Sequence, residues 1–252
     1  MDLMTVIGLS VGLGALYYVL ALGNSLGFIY NPEAFILVFG GTVGATLMTY
    51  PWSIVKSAPY AFLLIFFPSK RYRSKNIIER IVRLSEKAKR DGIDSLQNEL
   101  GNLGDKFLED GIQMIIDGLD EDIVRENLEK EIVFTRKRHG QVSGFFRTMG
   151  TYSPIFGLLG TLLGLVQVLR NISTPAMMGQ YMAVAVTATF YGIFGTNFLF
   201  LPVAGKLNVY SEEEILNKEV MIEGILSIKK GDIPTIVSRK LQAFLSYKLR
   251  SR

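Results

Sequence analysis

Between Glu131 and Glu212 the chain contains no Asp or Glu, and this acid-free stretch holds two long apolar segments, 153–170 and 178–205. Apolar runs of about 20 residues cross hydrocarbon as helices, because a helix satisfies its own backbone N–H and C=O groups where no water can. The first is dotted with Gly and Thr and the second with Gly, Ala and Thr, small residues that let membrane helices approach one another closely. If these two spans line an ion path, the titrating acid has to come from another protein.

Two further runs precede them. Residues 3–22 are long enough to span, and with no basic n-region and no convincing small-residue cleavage site they read as a retained helix rather than a signal peptide. A short turn from Gly23 to Pro32 leads into a second span over 34–50. Pro51, Pro59 and Pro68 punctuate the next stretch, and APYAFLLIFFP is too short to cross, so it reads as an interfacial shelf. Lys70, Arg71, Arg73 and Lys75 then mark entry into the cytoplasm. Apart from Lys56 and Arg170, every Lys and Arg falls in 69–152 or 206–252, which puts both blocks and both termini on the cytoplasmic side. Topology therefore accounts for the net charge of +4, and nucleic-acid binding is not expected.

A chain that is 49% hydrophobic and 20% charged is too apolar for an ordinary soluble domain and too charged to lie wholly in lipid. The absence of Cys, and a single histidine, His139, argue against a thiolate or imidazole metal centre and against redox chemistry. In the cytoplasmic block, Ile77, Ile78, Ile81, Val82, Ser85 and Ala88 follow helical spacing from Asn76 to a stop at Gly92. Further helices are expected over Ser95–Leu100, Phe107–Asp117 and Glu121–Arg138, with Gly118 and Asp120 as break and N-cap. No useful length alternates with period two, so no strand is expected. The predicted fold is an all-α membrane protein of four spans with a helical cytoplasmic domain inserted between the second and third. Its parts are 1–68 (two spans and the shelf), 69–152 (cytoplasmic helices), 153–205 (two path-lining spans) and 206–252 (a cytoplasmic helical tail).

On the fourth span, Ala185, Thr189, Gly192 and Thr196 share one stripe, and Gly157, Gly160, Thr161 and Gly164 form a matching row on the third. These rows serve tight packing, a polar ion lining, or both. A threonine hydroxyl does not titrate near neutral pH, so it positions water or an ion and cannot replace the ionisable relay group. Pro154 reads as the opening of the third span. Pro202 reads equally as a hinge or as the end of the fourth.

Four motifs carry a family resemblance: KAKRDGIDSLQ near 87, FLEDGIQMIIDGLDEDIVRENLEKEI from 107, SPIFGLLGTLLGLV from 153 and MAVAVTATFYGIFGTNFLFLP from 182. With the order of spans, they resemble the flagellar stator subunits MotA and PomA over nearly the whole chain. The last two also resemble the wider ExbB and TolQ group. The resemblance implies a non-enzymatic homopentamer in the bacterial inner membrane around two MotB-type helices, whose aspartate binds the ion. Ion flux would turn the pentamer against the rotor protein FliG. By motif position Pro154 and Pro202 correspond to the family's mechanistic prolines, and Thr161 and Thr189 to its pore threonines. Lys89 corresponds to its rotor-facing base. Gln97 stands where many members carry an acid, and Glu99 is near enough to take that role. No cofactor is expected beyond the transported H+ or Na+. Ala188-Thr189, in place of the paired threonines frequent in sodium-type members, favours protons, although Thr161 and Thr189 also offer oxygens to sodium. An envelope-transport subunit of the ExbB or TolQ kind and a passive membrane scaffold are the alternatives.

Overall fold

A computed structural model describes residues 3–24, 26–67 and 74–245, and every regular element among them is helical. Lys70, Arg71, Arg73, Pro68 and the tail beyond Leu245 lie outside the described residues. The chain divides into two compact units, Met1–Pro68 with His139–Asn208 and Ser69–Arg138 with Val209–Arg252.

The first unit begins with α1 (Leu3–Leu22), a helix apolar on all sides with no buried residue. Such a helix is soluble only in lipid. After α2 (Leu26–Ile29), Asn31 caps α3 (Pro32–Phe35) by accepting the Ala34 N–H at 3.1 Å. The second span continues through a π-helical segment, Ile36–Gly40, into α4 (Gly41–Thr49). Buried Thr42 and Thr46 return their hydroxyls to the carbonyls of Val38 and Thr42 at 2.6 and 2.7 Å, so neither brings an unanswered polar group inside. The shelf consists of α5 (Trp52–Val55) and α6 (Ala58–Phe66), and Ile65 packs in one cluster with Phe145, Phe146 and Phe200.

In the second unit, α7 (Ser74–Asp91) buries Ile77, Ile78, Ile81 and Ser85, as its spacing predicts, and Leu84 besides. Gly92 ends α7 at φ +86°, a left-handed conformation that glycine adopts without a Cβ penalty. Instead of an α-helix over 95–100, a 3-10 helix runs from Ile93 to Asn102. Asp105 caps α8 (Lys106–Ile116), accepting from the N–H groups of Phe107 and Leu108 at 3.0 and 3.3 Å. Gly118 supplies the expected break at φ +79°.

Two expected boundaries are corrected. The helices anticipated over Glu121–Arg138 and 153–170 are one 50-residue helix, α9 (Glu121–Arg170). Gly140, Gly144 and Gly150 keep helical backbone, so Pro154 lies inside α9 and does not start a helix. The helical run that carries the fourth span likewise continues beyond 205. It comprises α10 (Pro175–Phe194), a π segment (Gly195–Phe200) and α11 (Leu201–Lys229), with Pro202 inside α11. A π segment just before a proline is one way for the backbone to pass a residue that donates no hydrogen bond. The last described helix is α12 (Pro234–Gln242), whose Val237 and Leu241 join the core of Ile81, Leu108, Ile112 and Ile225. Among the described residues, four helical stretches are long and apolar enough to cross a membrane: Leu3–Leu22, Pro32–Thr49 and parts of Glu121–Arg170 and Pro175–Lys229.

Candidate functional site

The glycine rows of α9 and α10 bring the two backbones into contact. A Cβ placed on Gly157 would lie 3.0 Å from the Ala188 carbonyl oxygen and 3.2 Å from the Gly192 Cα. One on Gly164 would lie 2.7 Å from the Ala185 Cβ, and one on Gly192 would lie 2.8 Å from the Ser153 carbonyl oxygen. Only small residues permit this approach. Ala185, Ala188 and Gly192 are buried by it, so the stripe does pack the spans together.

The same closeness brings Thr161 and Thr189, 28 residues apart in sequence, into a direct hydroxyl-to-hydroxyl hydrogen bond. The Thr161 hydroxyl also lies 3.2 Å from the Gly157 carbonyl and 3.3 Å from that of Ala185, and the Thr189 hydroxyl lies 3.4 Å from Ala185. Two O–H protons are therefore shared among each other and two carbonyls, and oxygen lone pairs remain unused. Both threonines keep partial exposure. The pair can donate oxygens to a cation or orient water, but it cannot release or take a proton near neutral pH. Among the described residues of this unit the only carboxylate is Glu33, exposed in the first turn of α3.

Thr196 behaves differently from its stripe neighbours. It is 9% exposed, and its hydroxyl reaches the carbonyls of Gly150 at 2.9 Å and Gly192 at 3.0 Å. Ser153, which sequence reasoning passed over as the start of a span, is fully buried and donates to the Gly192 carbonyl at 3.0 Å. Its position four residues before Gly157 on the packed face was the available signal. Tyr191 was also missed. Its hydroxyl donates to the Ile29 carbonyl and accepts the Asn31 N–H at 3.4 Å, tying the turn between the first two spans to the fourth.

The rotor-facing candidates lie in the second unit and have intramolecular partners. Lys89 is exposed and donates to the Gly231 carbonyl at 2.8 Å. Glu99 pairs with Lys87 at 2.6 Å, and Gln97 is exposed on the 3-10 helix. The buried Lys218 ammonium meets Glu131 at 3.0 Å and sits 4.6 Å from the centre of the Phe107 ring. Around α12, Lys240 bonds Asp232 at 2.7 Å. That bond holds the Asp232 carboxyl below the usual carboxylate range and raises Lys240.

A family model described as the MotA/TolQ/ExbB proton channel family matches residues 100–220. Motility protein A of Borreliella burgdorferi is 36% identical over 253 residues, covering 100% of this chain and 97% of that protein. Chemotaxis protein PomA of Vibrio alginolyticus is 34% identical over 251 residues, covering 98% and 96%. A chain in the flagellar MotAB stator complex from Bacillus subtilis superposes with a TM-score of 0.90 at 30% identity, covering 98% of this chain and 96% of that one.

Proposed function

The chain belongs to the MotA and PomA branch of the MotA/TolQ/ExbB proton channel family, and on that premise we propose that it is the ion-path and torque-generating subunit of a flagellar stator. The observation that carries this reading is the Thr161–Thr189 pair, set between two glycine-packed spans in a stretch without any acid. Such a pair conducts once a second protein brings a carboxylate to it. A MotB-type single-span partner with an Asp has the required chemistry. The complex would comprise a pentamer of this chain around two partner helices in the bacterial inner membrane, with both termini cytoplasmic. The helical unit after the second span would stand in the cytoplasm and meet the rotor protein FliG through Lys89, with Gln97 and Glu99 nearby.

Motion arises from electrostatics. A charged carboxylate in a low-dielectric seam favours the polar threonine face, whereas its neutral or ion-paired form loses that preference. Alternating the two states with the ion gradient shifts which face of the ring the partner occupies, a two-state bias that becomes rotation. Pro154 and Pro202 would act as flexible points, and the transported ion is H+ or Na+, with protons favoured by Ala188 beside Thr189.

Reconstitution in vesicles with the partner tests this. Ion uptake should need both proteins. It should persist in Glu33→Gln and vanish in Thr189→Leu while the complex still assembles. Uptake by this chain alone, or its loss in Glu33→Gln, would overturn the reading. Swimming speed at varied sodium, with and without a protonophore, then assigns the ion.

A further inference from the structure

Pro154 lacks the N–H that would close the helical bond to the carbonyl of Gly150, four residues earlier, yet α9 runs unbroken through both. Gly150 is buried, packed so closely that a Cβ on it would lie 2.9 Å from Leu201 Cδ2 and 3.5 Å from Phe200 Cβ. An unanswered carbonyl in such a place is costly. Thr196 donates to it at 2.9 Å from the π segment of the neighbouring span.

The Thr196 hydroxyl has one proton and two carbonyls in reach, and the surroundings decide which of them depends on it. The Gly192 carbonyl, at 3.0 Å, also receives the buried Ser153 hydroxyl at 3.0 Å and the backbone N–H of Gly195. The Gly150 carbonyl has lost its ordinary helical donor to Pro154. We propose that Thr196 is a positioning residue that supplies, from the fourth span, the hydrogen bond Pro154 deletes in the third. The proline site of α9 and the π segment after α10 then move as one body, two helical turns from the Thr161–Thr189 pair. Thr196 is thus a structural coupler, not a ligand of the ion. The coupling of this joint to ion transport rests on the stator reading, whereas the hydrogen bond does not.

The experiment is a double-mutant cycle on the purified full chain, followed by motor measurements in the complex. Thr196→Val should lower Tm by about 5 °C, and Thr196→Ser should recover most of the loss. In a Pro154→Ala background the restored N–H answers Gly150, so adding Thr196→Val should change Tm little. In the working motor, Thr196→Val should reduce maximal speed several-fold, with the half-saturating ion concentration unchanged and with rescue by Thr196→Ser. Equal Tm losses in both backgrounds, a Ser variant as poor as Val, or a shift in half-saturating ion concentration would each overturn the proposal. If Pro154→Ala does not fold, the Ser against Val comparison and the ion titration decide it. If the unaltered complex carries no ions, the stator reading fails while the Tm comparisons still test the bond.

Discussion

At the scale of single residues, the third and fourth spans are held by the absence of side chains as much as by their presence. Gly192 has the Ser153 carbonyl oxygen and the α-carbons of Gly157 and Pro154 within about 3 Å of where its Cβ would lie, all backbone atoms that cannot rotate away. Gly179, on the same helix, has nothing within 4 Å. Gly192→Ala should therefore destabilise the chain by about 1–3 kcal/mol through overpacking. Gly179→Ala should be neutral or stabilising by about 0.5–1 kcal/mol, since it only gains helix propensity. Thermal unfolding of the two variants in detergent checks the contrast, and equal effects would mean that the two spans do not touch through this row. The row and both threonines were legible in the sequence because helical spacing alone puts them on one face. The role of Thr196 was not, since it depends on a carbonyl belonging to another helix, and one-helix periodicity carries no information about that.

At the scale of elements, what the sequence concealed was continuity. Pro154 reads in the sequence as a boundary, and three glycines precede it after Arg138, yet glycine is compatible with helical dihedrals and a single proline removes only one backbone bond. Packing outweighed these weak local signals: Phe145, Phe146 and Met149 are buried in one cluster with Ile54, Ile65 and Val203. Elements of the second unit were easier to read because Gly92 and Gly118 stop helices in the left-handed region, although Asp105, which starts α8, went unread. Asp105→Ala should cost about 1 kcal/mol, visible as a lower urea midpoint, because two N–H groups lose their acceptor. Between α9 and α11 the buried member of the ion pair is Lys218, while Glu131 remains partly exposed. Glu131→Leu, which leaves an ammonium buried without its counter-ion, should destabilise this unit more than Lys218→Met, which strands only a half-solvated carboxylate. The reverse order would show that the Phe107 ring and its surroundings suffice for the ammonium. The tie between Asp232 and Lys240 has a defined pH window. A carboxyl whose folded pKa is depressed contributes stability above the ordinary Asp range and loses it as pH falls through the folded value. A lysine whose folded pKa is raised contributes stability below the ordinary Lys range and loses it as pH climbs through the folded value. Hydrogen exchange over 234–242 should thus show this contribution constant at mid-range pH and falling off at both extremes. Asp232→Asn should remove the acidic limb.

At the scale of the whole molecule, the charge pattern separates two tasks. Residues 139–208 carry no acid, while the second unit holds most of the acids and bases, many of them in ion pairs such as Lys87–Glu99 and Lys230–Glu121. On the proposed function, ion handling and rotor contact would fall to different parts of the chain, and a substitution that affects one should leave the other intact. Lys89 offers the sharpest case, because it is exposed yet also donates to the Gly231 carbonyl. Lys89→Gln keeps a donor for that carbonyl and removes the charge, so it distinguishes a structural tether from an electrostatic contact. If Lys89 works through its charge, Gln and Glu variants should both lose torque under load, Glu the more so, with ion uptake in vesicles unchanged. The residual torque of the charge-retaining Lys89→Arg should also fall as salt rises, since exposed charges are screened over about 10 Å at 0.1 M. Full torque in Lys89→Gln would reduce the residue to a tether for the turn at Gly231 and move the rotor contact elsewhere on this unit.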